Sequence, residues 1–346
     1  GSSFFRLSLR GRVFNICSRQ DPQEEPARSK PSRETEMDKE PQILVIGSIN
    51  MDVVLQAEKF PAPGETVLGT DLSLIPGGKG ANQAVALARL GARVSLLGCV
   101  GADPWGEELT AKLAGNGVDT RNVISAPSLP TGNATIIVDQ EGENRIVLIG
   151  GANEALEPAH VDAALGKGSS FDAVLLQLEI PLETVYHAIS TAAARGLPVI
   201  LDAGPPRKLP LEKLRGVTVL SPNESETETL TGICPSDQGS ASRAASLLQE
   251  STGADEVVLK LGSRGALFKE NGNYTIIDAH AVEVVDTTAA GDSFTAALAL
   301  EYCRGARIRT ATERAMAAGA LAVTRLGAQP SLPTGEEVDR LQSTRE

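Results

Sequence analysis

A chain of 346 residues with a formal net charge of −12 and 3% aromatic residues has the length for one large α/β domain or two ordinary ones, must fill its core with Ala, Val and Leu, and lacks the basic surface that would hold a nucleic acid. Its four cysteines (Cys17, Cys99, Cys234, Cys303) form no CxxC and its three histidines (His160, His187, His280) form no HExxH, which argues against a disulfide framework and a cysteine-type zinc site and leaves imidazole chemistry a poor prospect. No apolar run reaches transmembrane length, so no membrane partner is expected.

The first 40 residues differ from the rest. Residues 1–20 carry Arg6, Arg10, Arg12, Arg19 and several serines but no acid, and residues 21–40 are charged and Pro-containing. A basic, acid-free start resembles an organellar transit peptide, with a tail that has no fold as the plainer reading. A chloroplast location is expected, with the cytoplasm as the alternative.

From Pro41 the pattern becomes regular. Ile43–Ser48 reads as a buried strand, with Asn50 and Asp52 just beyond its carboxyl end, where open α/β sheets bind ligands. Residues 53–76 are short alternating runs broken by Pro61, Pro63 and Gly64, a β excursion outside the sheet core. Gly77–Ala84 leads into a helix that Gly91 stops. Val94–Val100 is a strand, a helix runs from about Pro104 to Ala114, and Ala134–Leu148 alternates around Glu141-Gly142 as a hairpin. Strands follow at Ala173–Leu178, Pro198–Asp202, Val217–Leu220 and Glu256–Leu261. Helices are expected at Leu182–Ala194, Glu224–Leu230, Ser240–Ser251 and after Gly291 and Thr310. Ala266–Ile277 folds as a hairpin around Asn271-Gly272. Strand–helix alternation predicts an α/β fold: a doubly wound, mostly parallel sheet with helices on both faces. Segments 53–76 and 131–149 are expected to form one small β-sheet lid on a domain spanning 41–341.

The residues that can carry chemistry lie between these elements. Val285–Phe294 reads as a strand end, a small-residue turn and a helix opening at Gly291-Asp292. Such a turn aims backbone N–H groups and a helix dipole at one point. Asp292 there suits a transferring phosphoryl group, as the base that takes the hydroxyl proton; it also suits a plain N-terminal cap. No GxxxxGK[ST] is present, so a Walker-type loop is excluded. The glycines of GGKGAN permit close backbone approach to a ligand, and Asn82 can bond hydroxyls; a flexible helix-capping loop is the alternative. Asn223 and Glu226 share a helix face and can hold a hydrated Mg²⁺, or simply form a capping box. Lys260–Gly265 follows a strand and can line a nucleotide. Glu179 and Asp202, at other strand ends, are further polar candidates.

Six segments, GSINMD, PGGKGANQA, the NxxE of Asn223–Glu226, LGSRG, DTTAAGDSF and GAQPS, occur in this order in ribokinases, and from about Pro41 to Leu341 the chain resembles the ribokinase-like sugar kinase superfamily. The resemblance implies an ATP-dependent transfer to O5 of D-ribose, giving ribose 5-phosphate and ADP. Asp292 would be the general base, and Ala289, Ala290 and Gly291 the N–H anion hole. Asn50, Asp52, Gly78, Lys79, Asn82 and Glu179 would hold the sugar or close around it. Asn223, Lys260, Gly262, Gly265 and Gly291 would lie at the ATP, with Asn223 and Glu226 organising Mg²⁺. Asp286, Thr288, Ala322, Gly327 and Ser331 match a K⁺ loop that binds mostly through backbone oxygens. The lid would pair two subunits into a homodimer. Three departures stand out: LDAGPP at 201–206 replaces an Asn-Pro-Ala-Pro run, Lys260 replaces a small hydroxyl residue, and Met316 lies in the helix region flanking adenine. Kinases for deoxyribose, fructose or adenosine are alternatives within the fold. A non-catalytic part of a plastid transcription complex is the alternative outside enzymology, and the presence of Asp292 and Gly291 argues against it.

Overall fold

The structure, a computed structural model, describes residues 40–343, so the segment read as a targeting sequence lies outside the described residues. In chain order it runs through β1 (Gln42–Ile46), β2 (Asn50–Ala57), β3 (Gly69–Gly77), α1 (Lys79–Arg89), β4 (Arg93–Gly101), α2 (Pro104–Gly115), β5 (Val118–Asp119), β6 (Val123–Ala126), β7 (Gly132–Val138) and β8 (Asn144–Ile149). Next come α3 (Pro158–Ala164), β9 (Ala173–Leu176), α4 (Leu182–Ala194), β10 (Val199–Leu201), β11 (Val219–Leu220), α5 (Glu224–Thr231), α6 (Gln238–Thr252), β12 (Glu256–Val257) and β13 (Leu259–Lys260). The chain ends with β14 (Ala266–Glu270), β15 (Asn273–Ile277), α7 (Ala290–Cys303), α8 (Ile308–Ala322), α9 (Ala328–Ser331) and α10 (Gly335–Ser343).

The central sheet has the order β12-β11-β10-β9-β1-β4-β5, with β6 also on β4, and every pair in it is parallel. Alternation along β1 feeds two cores. Ile43 and Val45 join the apolar side chains of α1, α7 and α8 on one face, and Leu44 and Ile46 join those of α4 and α6 on the other. Burial on both faces is why these strands read as continuous apolar runs. Helix α7 carries Ala296–Leu300 fully inside, as a helix apolar all round must be. The sheet is built outward from β1 in both directions, so the order reverses there. The crevice outside the carboxyl ends of β1, β9 and β10 is the position where such sheets bind ligands.

A second sheet has the order β3-β2-β7-β8. Strand β2 pairs antiparallel with β3 and parallel with β7, and β7 pairs antiparallel with β8. The two early β excursions are thus one sheet, joined across the β2–β7 register of Asn50 with Gly132 and Asp52 with Ala134. Asn50 and Asp52 are therefore not residues trailing β1: they open β2 in this second sheet. The strand read at Glu256–Leu261 is also divided. Strand β12 continues the central sheet, while β13 turns to pair with β14, because the 266–277 hairpin folds back on it. The short α3, with Pro158 at its start and the Glu157–His160 capping box, had no apolar period long enough to be read.

Candidate active site

The turn before α7 fixes the centre of the site. Ala289 is held at φ 59°, a left-handed conformation that costs an alanine about 1–2 kcal/mol and that clusters at functional sites. It lets the chain enter α7 abruptly, so the N–H groups of the first turn lack intrahelical acceptors. Of the amides expected in the anion hole, that of Ala290 donates to Thr287 O at 3.3 Å. Asp292 follows in the same turn and is 4% exposed. Its two oxygens are each held by a side-chain amide of α1: Oδ2 accepts from Asn82 Nδ2 at 2.9 Å and Oδ1 from Gln83 Nε2 at 3.0 Å. Lys79 Nζ lies 3.9 Å from Oδ1.

On one side of Asp292 sit the residues expected at the sugar. Lys79 and Asn82 belong to the first turn of α1, not to a loop before it. Gly78, at φ 87°, lets this helix start against the β1–β2 connection, since a Cβ there would lie 2.7 Å from Asn50 N. Glu179 Oε2 accepts from Ser48 Oγ at 2.5 Å and from Lys79 N at 3.1 Å. Asn50 Oδ1 accepts from Asn153 Nδ2 at 2.7 Å. Asp52 is close enough to feel Glu179 and Asp292. Burial, and then those two charges, push its carboxyl up to about 7. Burial alone would lower the Lys79 pKa, but the carboxylates of Asp292, Asp202, Glu179 and Glu226 outweigh it and raise it. Three facing carboxylates and a buried Asn82 Oδ1 with no partner are acceptors waiting for hydroxyl donors.

On the other side a cavity of about 1000 Å³ runs from Lys79 and Asp292 past Asn223, Glu226, Lys260 and Gly291 to Gly262, Gly265, Met316 and Val323. Its lining includes charged groups and apolar ones, the two kinds of surface that a nucleotide's triphosphate and base need. Asn223 and Glu226 do form a capping box: Asn223 N and Nδ2 donate to Glu226 at 2.7 and 3.0 Å, and Glu226 N donates back to Asn223 Oδ1 at 2.9 Å. The box opens α5 and fixes Glu226 at the cavity wall, 2% exposed. Burial raises the Glu226 pKa, against the opposing pull of Lys260 and Lys79. Gly204, from LDAGPP, gives this carboxylate room; a Cβ there would lie 2.6 Å from Glu226 Oε1 and 2.8 Å from Lys79 Cε.

The expected K⁺ loop is assembled around Asp286. Its Oδ1 accepts from Thr288 N and Oγ1 at 2.9 and 2.6 Å, and Oδ2 from Gly327 N at 2.8 Å. Burial opposes ionisation, yet these hydrogen bonds hold the carboxyl below its usual range. Val285 N and Asp286 N donate to Val323 O, the residue after Ala322. Ser331, at the end of α9, donates from Oγ to Ala328 O at 2.8 Å. Arg89 ties the segment down from α1, donating to Gln329 O and Leu332 O at 2.8 and 2.9 Å.

Sequence reasoning missed Ser48, Gln83, Asn153 and Gln177, all fully or nearly fully buried polar residues behind the expected site. Gln83 was within reach, adjacent to Asn82 in the same motif. Asn153 had no local signal, because its partners Ile49 and Asn50 lie more than a hundred residues earlier.

The pfkB family carbohydrate kinase pattern matches residues 40–335. The chain is 38% identical to a ribokinase of Haemophilus influenzae over 85% of this chain and 96% of that protein. It is 34% identical to a deoxyribokinase of Salmonella typhi over 88% and 99%. Its fold superposes with a TM-score of 0.80 on a structure of Arabidopsis thaliana ribokinase complexed with ribose and ATP, at 34% identity and covering 88% of this chain and 99% of that one. The extent of these matches and the assembled site together establish that the chain belongs to the pfkB family of carbohydrate kinases.

Proposed function

We propose that the chain phosphorylates D-ribose at O5, using ATP and releasing ribose 5-phosphate and ADP. The observation that carries this reading is Asp292: a buried carboxylate at the N-terminus of α7, held by two amides, with a carboxylate-rich pocket on one side and a cavity of about 1000 Å³ on the other. The sugar hydroxyl gives its proton to Asp292, its oxygen bonds to the γ-phosphorus, and the bond to the bridging oxygen breaks with ADP as the leaving group. The N–H groups at the start of α7 stabilise the equatorial oxygens as charge moves. Asp52, Glu179 and Asn82 accept the remaining hydroxyls and fix the ring.

The donor set fits Mg²⁺ held through water. Glu226 is one carboxylate at the cavity wall with spare lone pairs, and Mg²⁺ takes few carboxylates and keeps several waters. Bound there with Asn223 beside it, the ion would neutralise phosphate oxygens. The 286–331 loop fits K⁺: the oxygens of Asp286 already accept from Thr288 and Gly327, so the carboxylate shapes the loop and leaves carbonyls of Thr288, Ala322, Gly327 and Ser331 to hold a weakly hydrated ion. Dimerisation through the second sheet is supported by its exposed Leu72, Ile146 and Val147. A plastid location is supported by the acid-free composition of residues 1–20, and a fluorescent fusion that stays cytoplasmic would overturn it.

Deoxyribose is the second reading, favoured by the deoxyribokinase relative. ADP release should be measured with ribose, deoxyribose, fructose and adenosine, in K⁺ or Na⁺. Turnover highest with ribose and raised by K⁺ is expected. A kcat/KM greater for deoxyribose, or no response to K⁺, would overturn the corresponding assignment.

A further inference from the structure

Two departures from the ribokinase pattern, Asp202 and Lys260, meet in space. Asp202 is fully buried beyond the end of β10. Its Oδ1 accepts from Lys260 Nζ at 2.6 Å, and its Oδ2 accepts from Gln83 Nε2 at 2.8 Å. The same Gln83 nitrogen donates its other proton to Asp292 Oδ1 at 3.0 Å. Gln83 cannot rotate away, because its Oε1 accepts from Gln177 Nε2 at 2.6 Å. An unbroken chain of contacts therefore runs from the Lys260 ammonium through Asp202 and Gln83 to Asp292. Lys260 also reaches Thr295 Oγ1 at 3.4 Å, and its Nζ lies 3.7 Å from where a Cβ on Gly291 would be. The ammonium thus stands beside the expected anion hole.

We propose that Lys260, Asp202 and Gln83 form one positioning unit for phosphoryl transfer, in which Asp202 parks the ammonium beside the anion hole and Gln83 fixes the orientation of Asp292. The inference rests on the reading of Asp292 as the general base. Asp202 cannot stand alone, since a buried carboxylate without a partner is strongly disfavoured. Lys260 likewise depends on Asp202: Glu226, which feels Lys260, already has both oxygens engaged by Asn223. Lys79 lies near enough to feel Asp202 as well, but Lys260 is the ammonium bonded to it, and the pair replaces the neutral Asn and hydroxyl residue of the ribokinase pattern. Both ends of the unit are held before any ligand arrives, which is what electrostatic preorganisation requires.

The test is a double-mutant cycle on the full chain with ribose and ATP. Asp202→Asn and Lys260→Thr should each lower kcat by about thirtyfold while the KM for ribose changes by no more than about threefold. The double variant, which restores a neutral pair, should be about tenfold more active than either single one. A double variant no more active than the worse single, or singles with normal kcat, would overturn the unit. Should the single variants fail to fold, Gln83→Met tests the other arm without burying a charge. Its kcat should fall about tenfold with both KM values unchanged, and a normal kcat would overturn the proposal. Asp292→Asn is measured in parallel. If that variant is active, the base assignment fails; if it is inactive while the cycle is flat, only the positioning unit fails.

Discussion

The start of α7 and the four-stranded second sheet are built on opposite principles. Around Asp292 the carboxylate and amide groups are held by neighbours before any ligand is present: Asn82 and Gln83 donate to Asp292, and Gln83 and Lys260 donate to Asp202. In the second sheet all six residues of the edge strand β8 are exposed, Ile146, Val147, Leu148 and Ile149 among them. The first region spends folding stability on fixed polar geometry, as catalysis requires. The second leaves an apolar edge that natural sheets normally cover. The difference teaches which residues answer to chemistry and which answer to assembly, and each prediction below tests where that line falls.

The largest effect belongs to Asp292. Replacing it by Asn keeps the size of the side chain but removes the base and turns an NH2 toward one of the two amide donors that hold Asp292. A kcat about a hundred- to ten-thousand-fold lower is expected, with ribose and ATP affinity by calorimetry little altered. A kcat within threefold of the parent would show that fixed polar geometry here is not catalytic and would erase the contrast.

Next is the seam between the two regions. Asp52 lies in β2 of the second sheet yet faces the site, and it fits because Gly77 on β3 has no side chain. A Cβ at Gly77 would sit 2.2 Å from Asp52 Oδ2. Gly77→Ala must push the carboxylate aside, and about 1–3 kcal/mol of overpacking predicts a ribose KM about ten- to a hundredfold higher with kcat falling less. An unchanged KM would place Asp52 outside the sugar site.

Asp52 also gives the seam a pH signature. Its carboxyl is pushed up to about 7 by burial and by Glu179 and Asp292. A raised carboxylate pKa means that the folded state binds the proton more tightly than the unfolded one. The stability this gives is complete below the unfolded value near 4 and is lost as pH rises through about 7. Asp52→Asn should therefore melt higher than the parent at pH 8, by an amount worth up to about 4 kcal/mol, and the gap should close toward pH 4. In the parent, ribose binding should strengthen between pH 6 and pH 8, because an ionised Asp52 can accept from two hydroxyls. A melting difference independent of pH would mean that Asp52 is solvated like any surface acid.

This seam is also where the sequence was hardest to read. The parallel sheet was legible because its strands are unbroken apolar runs such as Ile43–Ile46, and Asp292 was legible because small residues followed by an acid at a helix start have few uses. Asn50 and Asp52 were recognised as site residues but placed on the wrong element. A strand that leaves one sheet for another within four residues carries no local mark. Glu226 was read as part of a capping box or as a Mg²⁺ holder; the capping box is what forms, and it sets the carboxylate in the cavity wall. The partners that orient the site could not be paired from sequence: Gln83 meets Asp202 across 119 positions and Asn153 meets Asn50 across 103. Contacts of that range depend on the sheet order, which no short pattern encodes.

The smallest effect on the folded chain, and the sharpest test of assembly, lies on β8. Val147 is 62% exposed, so Val147→Lys removes little buried surface. In the monomer it should change stability by less than about 0.5 kcal/mol. Light scattering should nevertheless show the proposed dimer giving way to monomer, because a lysine on an edge strand opposes pairing with a second copy. Turnover measured at high protein concentration separates the two roles. If the monomeric variant keeps its kcat while its ribose KM rises, the exposed sheet serves the site only by holding Asn50 and Asp52 in place. If the variant remains dimeric, the apolar edge is covered by something other than a second copy, and the second sheet would have to be explained by closure over ligand alone.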